Sequence, residues 1–222
     1  MRIFPLSESA LTVEFGNEIS LDLNARAISL AEHFRQNPFP GFIEAVPAYS
    51  SVTLFFDLAE TRREFSEFTS SFAAVSEIVL RAADAIQNFV NTTPQLIEIP
   101  MSVSESDSPD LPLISERTGL SAKEVIEIFT ARTYRVYMLG FLPGFAYMGE
   151  VDERIATPRL STPRTNVPEG SIGIAGKQSG IYPLSSPGGW NIIGRTDLRL
   201  FDPQAAEPTL LKPGNEVRFV RK

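Results

Sequence analysis

Glycine and proline are spread so unevenly along this chain that one type of fold does not suit both ends. Residues 1–93 hold 2 Gly and 4 Pro, whereas residues 94–222 hold 12 Gly and 13 Pro. Glycine marks bulges and tight corners in sheets and proline is confined to strand ends and edges, so the second part reads as short strands wrapped into a small closed β-barrel. The first part leaves room for longer unbroken elements. Charge divides at the same place, with 6 basic and 12 acidic residues before residue 94 and 14 and 15 after it. Two domains, 1–93 and 94–222, are therefore expected, with the boundary at Asn91-Thr92-Thr93-Pro94.

In the first domain, Leu11-Thr12-Val13-Glu14-Phe15 alternates at period two and stops at Gly16, which predicts a strand. Leu23, Ala27, Leu30, Ala31 and Phe34 share one helical face, predicting a helix over Leu21–Phe34. Two strands are predicted at Gly41–Val46 and Ser51–Phe56, and one long second helix from Arg62 to Phe89. A β-α-β-β-α-β order of this kind builds a ferredoxin-like α/β sandwich. The second domain opens with a strand, Gln95–Pro100, and a polar loop. A short helix from Leu111 closes at Gly119. Ser121-Ala122-Lys123-Glu124 is a capping box that starts another helix. The fold class expected for the whole chain is α+β.

Several chemistries are excluded by composition. There is no cysteine and one histidine, His33, so thiol nucleophiles and Cys- or His-built metal centres are not expected. With 20 basic against 27 acidic residues, a sequence-independent grip on nucleic acid is not expected either. No run of 18 apolar residues suggests a membrane span, and the first residues do not read as a signal peptide, so a cytoplasmic protein is expected. His33 lies in a helix far in sequence from every Gly-rich segment and reads as a helix-end residue rather than a base. Gly176-Lys177 invites comparison with a phosphate-binding loop, but Ser171 stands where that loop needs glycine and Gln178 where it needs Ser or Thr.

Residues with the density of a binding site run from Tyr134 to Pro203. Gly140-Phe141-Leu142-Pro143-Gly144-Phe145-Ala146-Tyr147 places aromatics on a sharply turned backbone, either as barrel-corner packing or as the wall of a pocket. Pro158-Arg159 and Pro163-Arg164 hold two guanidinium forks on stiffened loops, either as surface ion pairs or as a grip on a carboxylate or phosphate. Gln178 and Tyr182 add neutral polar groups. Pro187-Gly188-Gly189-Trp190 brings the only tryptophan next to an approachable backbone, as a barrel plug or as a ring facing a ligand.

Taken together, GFLPGFAYMG (140–149), PRLSTPRTNVPEGSIGIAG (158–176), QSGIYPLSSPGGWNIIGRT (178–196) and LFDP (200–203) resemble the allophanate hydrolase subunit 1 and KipI family. The resemblance extends more loosely into the first domain, through Glu14-Phe15-Gly16 and Pro47-Ala48-Tyr49. It implies a ferredoxin-like first domain and a cyclophilin-like second one of the carboxyltransferase subdomain type. It also implies a subunit of an ATP-dependent 5-oxoprolinase, opening the 5-oxoproline lactam to L-glutamate together with subunits A and C. ATP and Mg²⁺ are expected at the level of that complex. On this reading Arg159, Arg164 and Gln178 are the candidate catalytic groups. Gly140, Phe141, Pro143, Gly144, Phe145, Tyr147, Tyr182, Pro187, Gly188, Gly189 and Trp190 would bind substrate. The same family includes an inhibitor of a sensor histidine kinase, and this alternative, like action on the related amide allophanate, stays open. Two departures are visible: Phe129 stands where the family often has a histidine, and Val103-Ser104-Glu105 where it often has Tyr-Gly-Gly after the first barrel strand.

Overall fold

A computed structural model describes residues 1–86 and 94–222, so Asn91-Thr92-Thr93 and the expected helix end at Phe89 lie outside the described residues. The chain divides into two compact units, Met1–Thr93 and Pro94–Lys222.

The first unit is a four-stranded antiparallel sheet with helices. Its elements run β1 (Arg2–Ser7), β2 (Ala10–Glu14), α1 (Leu21–Gln36), β3 (Phe42–Pro47), β4 (Ser51–Phe56), α2 (Leu58–Glu64) and α3 (Ser71–Ile86). The strand order is β1-β2-β4-β3. Alternation sends Leu11, Val13, Val52, Leu54 and Phe56 to one face, where they meet Leu30, Phe34, Val75 and Val79. Two details depart from the sequence reading. An N-terminal strand precedes the first expected one, so the order is β-β-α-β-β-α-α and no strand follows α3 among the described residues of this unit. β1 is an edge strand with Pro5 in it and only Ile3 partly buried, so it carries none of the alternation that reveals a half-buried strand. The expected long second helix is two helices. Asp57 caps α2 by accepting from the Glu60 amide at 2.7 Å, and the Ser70 hydroxyl restarts α3 by accepting from Ala73 at 3.1 Å.

The second unit contains β5 (Leu96–Met101), α4 (Leu111–Thr118), α5 (Ala122–Thr130), β6 (Thr133–Leu139), β7 (Ala146–Gly149), β8 (Arg164–Val167), β9 (Ser171–Ala175), β10 (Gln178–Ile181), β11 (Ser186–Gly188), β12 (Asn191–Arg195) and β13 (Glu216–Arg221). Seven strands form a nearly closed barrel in the order β12-β9-β10-β7-β6-β13-β5. Its two edges meet at one point, where Ser102 and Arg195 exchange backbone hydrogen bonds of 2.8 and 2.9 Å. Ile99, Met101, Val136, Met148, Ile174, Ile181, Ile193 and Phe219 fill the interior together with α4 and α5 residues Ile114, Val125 and Phe129. The capping box at Ser121 is complete, with both reciprocal bonds to Glu124 present. β8 and β11 pair separately as a short ribbon. Among the described residues no helix is long and apolar enough to cross a membrane.

Candidate functional site

The candidate site lies on the outer face of the barrel, where the sheet is floored by glycine. Ile181 belongs to the interior core, so alternation along β10 turns Gln178 and Gly180 outward. Gly180 pairs with Tyr147 on β7 and with Gly173 on β9, and Gly173 pairs in turn with Ile192 on β12. A Cβ at Gly180 would stand 2.8 Å from Phe145 Cζ and 3.0 Å from Trp190 Cζ3, and one at Gly173 would stand 3.0 Å from Trp190 Cβ. The missing side chains are thus the seat of the two rings. Phe145 meets Tyr147, Tyr182 and Trp190 edge to face at centroid distances of 4.9, 5.2 and 5.5 Å. Phe145, Tyr182 and Trp190 form a buried cluster with Val167, Ala175 and Ile192, distinct from the barrel interior, and the half-buried Tyr147 packs against it. Trp190 is 4% exposed and packs on the outside of the sheet, so it is not a plug of the barrel.

Gly140 to Gly144 arches over one side of this cluster. Leu142 and Phe145 amides donate to the Gly140 and Leu142 carbonyls at 2.8 and 3.0 Å, which makes the turn tight. Phe141 at its tip has φ +67° and is 60% exposed, while its ring stays edge-on to Phe145 at 5.5 Å and to Tyr182 at 6.5 Å. A left-handed backbone costs a residue with a Cβ about 1–2 kcal/mol, and this turn holds an aromatic there in the open. Pro143 is exposed beside it. Burial pushes the Tyr182 hydroxyl above its ordinary pKa, while a hydrogen bond from the Trp190 backbone and the charge of Arg159 pull the other way.

The other side is closed by the two Pro-Arg loops, tied to the segment around Trp190. The Leu160 amide donates to the Gly189 carbonyl at 2.8 Å, and Asn191 Nδ2 donates to the Pro158 carbonyl at 2.8 Å. β8 pairs with β11 from Arg164 opposite Gly188 to Val167 opposite Ser186, which leaves Pro187 exposed between them. The two arginines take different roles within this frame. Arg159 is exposed, its guanidinium lies 5.7 Å from the Trp190 ring centroid, and it has no acidic partner among the described residues. A stacked guanidinium keeps its N–H edge directed outward, which suits a carboxylate or phosphate. Arg164 instead spends part of its fork on Asp110, with Nη2 to Oδ1 at 2.5 Å.

The site therefore gathers Gly140, Phe141, Pro143, Gly144, Phe145, Tyr147, Tyr182, Gly188, Gly189, Trp190, Arg159 and Arg164 on one face of the second unit. Gln178 shares that face, two residues along β10 from Gly180. Gly176-Lys177 is the turn of the β9–β10 hairpin, and Lys177 is ion-paired to Glu153, which is not a phosphate cradle. His33 is an α1 residue in the other unit, near the end of its helix. Phe129 is fully buried between Tyr134 and Phe219, with centroids at 4.9 Å to each, so that position is part of the core. Asp110 was not singled out by sequence. Directly before Leu111-Pro112 it has the pattern of a helix cap, and only the fold shows its carboxylate turned elsewhere.

A barrel with this outer face and these glycine-rich motifs defines a class. The chain matches the model of the carboxyltransferase domain, subdomains C and D, over residues 1–211, and it belongs to that family. It is 43% identical over 221 residues to the B component of the 5-oxoprolinase of Bacillus subtilis (strain 168), covering 99% of this chain and 92% of that one. It is 36% identical to the B component of the Escherichia coli O157:H7 5-oxoprolinase, covering 99% of this chain and 95% of the relative. Among solved structures, that of TTHA0988 superposes with a TM-score of 0.81 at 36% identity, covering 96% of this chain and 40% of that longer chain. The urea carboxylase of Kluyveromyces lactis, at 19% identity and a TM-score of 0.73 over 99% of this chain and 21% of its own, shares the fold.

Proposed function

We propose that this chain is a subunit of an ATP-dependent 5-oxoprolinase, active together with subunits A and C in the cytoplasm. The observation that carries this reading is the likeness, over nearly the full length of both chains, to proteins named as the B component of 5-oxoprolinase. The barrel unit is read as cyclophilin-like within that family.

The chemistry explains the shape of the candidate site. A lactam resists water because its nitrogen donates into the carbonyl. Phosphorylation of the lactam oxygen at the expense of ATP removes that protection. Water then adds at the ring carbon, the C–N bond breaks with its electron pair and a proton going to nitrogen, and a second water releases phosphate and L-glutamate. Such a sequence needs fixed positive charge for anionic groups and apolar walls that limit water. Arg159 supplies the charge, Tyr147 and Gln178 the neutral polar groups, and Phe141, Phe145 and Trp190 the walls. Pro143, Tyr182 and Pro187-Gly188-Gly189 shape the rim. ATP and Mg²⁺ act at the level of the complex.

The test is reconstitution. The purified chain alone should release no glutamate from 5-oxoproline, and adding subunits A and C with ATP and Mg²⁺ should start turnover. Robust turnover by the single chain, or none by the complete mixture, overturns the reading.

A further inference from the structure

We propose that Asp110 is a positioning residue for this site, acting through Arg164 and the start of β12 to hold Arg159 and Trp190 in place. The proposal rests on the function proposed above.

Asp110 is 4% exposed. A carboxylate so far from water has to be met by donors, and here they come from two distant segments. Oδ1 accepts from Arg164 Nη2 at 2.5 Å, and Oδ2 accepts from the Ile192 amide at 2.6 Å. The Asp110 amide also donates to the Ile192 carbonyl at 3.1 Å. Asp110 stands in the N-cap position of α4, yet its side chain makes no capping bond. It forgoes the ordinary use of an aspartate at that position and clamps β8 to β12 instead. Arg164 Nη1 then reaches the Trp190 carbonyl at 3.5 Å, so acid and arginine hold the Trp190–Ile192 backbone from both ends. The Arg159 loop hangs from that same stretch, through Leu160 on Gly189, Pro158 on Asn191, and the guanidinium over the indole. The pair has a second effect. Asp110 neutralises Arg164, whereas Arg159 has no acidic partner among the described residues.

Asp110→Asn keeps an acceptor for Ile192 but loses the charge that holds Arg164, and Arg164→Gln removes the other half. In the reconstituted complex, well below the melting temperature, each should raise KM for 5-oxoproline about tenfold while kcat stays within about twofold, because a positioned anion grip serves substrate and transition state alike. The double variant should be no worse than the worse single variant, and Arg164→Lys should restore part of the loss. Unchanged KM with only a lowered melting temperature means that the pair merely supports the fold, and overturns the proposal. Additive effects in the double variant do the same. If the wild-type complex turns nothing over, the failure belongs to the proposed function, and the clamp is read in the single chain. Acrylamide quenching of Trp190, the only tryptophan, should rise in Asp110→Asn and Arg164→Gln. It should stay constant in Glu98→Gln, which breaks an exposed ion pair to Arg218. Equal quenching in all three overturns the clamp.

Discussion

Gly180 lies beneath Trp190 so closely that a Cβ there would stand 3.0 Å from the indole, with Phe145 nearer still at 2.8 Å. The outer face of the barrel is therefore built by subtraction: glycines on two adjacent strands let the Phe145 and Trp190 side chains pack close against the sheet. Gly180→Ala should force those rings outward and cost about 1–3 kcal/mol, as for an extra methyl in a packed core. Urea unfolding measures the loss, and Trp190 emission should shift to the red in the folded variant. An unchanged spectrum would mean that the cluster has slack and that Gly180 is not its seat.

How legible was this from the residues? The barrel was, because short apolar runs between Gly and Pro leave few other folds, and the Ser121–Glu124 box and Gly119 mark helix ends by local chemistry alone. β1 was not, since an exposed edge strand has no inside face to write into its sequence. The break between α2 and α3 was missed because hydrophobic spacing continued across it, while Asp57 and Ser70 made the ends. At the site, the motifs marked segments that the structure brings to one face of the barrel. What they left out was which arginine has no acidic partner, because Asp110 and Arg164 are 54 residues apart and only the folded chain brings them together.

Substitution at Phe129 separates a packing role from a proton-transfer role. Its ring is buried against Tyr134 and Phe219, and no polar group of the candidate site lies among these neighbours. Phe129→His should cost about 2–4 kcal/mol through lost packing and an imidazole without partners. Turnover per folded complex should be unchanged. A gain in activity at wild-type stability would assign the position to chemistry.

Arg159 and Arg164 should respond in opposite ways to loss of charge. Arg159 is exposed and unpaired by acid, so Arg159→Ala should leave the melting temperature nearly unchanged. If it grips an anionic group, kcat/KM should fall roughly ten- to a hundredfold, the equivalent of about 1.5–3 kcal/mol for a charge-assisted hydrogen bond. Arg164→Ala leaves a buried carboxylate without its cation, and should cost about 2 kcal/mol of stability after allowing for the partial exposure of the arginine. Thermal melts and steady-state kinetics on both variants decide it. Equal melting temperatures for the two variants would mean that the Asp110 pair holds nothing.

Three buried tyrosines set how the fold responds to alkali. Burial raises the pKa values of Tyr134, Tyr137 and Tyr182 above the ordinary phenol value, and for Tyr137 the neighbouring Glu150 adds to the rise. Their folded values thus lie above their unfolded ones, near about 10. Below that pH their contribution to stability is fully present, and it is lost as pH rises beyond it, because the unfolded chain releases protons that the folded chain keeps. Tyr134 shows the largest upward shift, and its hydroxyl donates to the Phe129 carbonyl at 2.8 Å. Tyr134→Phe should therefore cost about 1 kcal/mol near neutrality through the lost hydrogen bond. Between pH 9 and pH 11 it should lose less stability than the wild type, so the two curves converge. Urea midpoints across that range are the measurement. Parallel curves would show that the Tyr134 hydroxyl reaches water before the fold gives way.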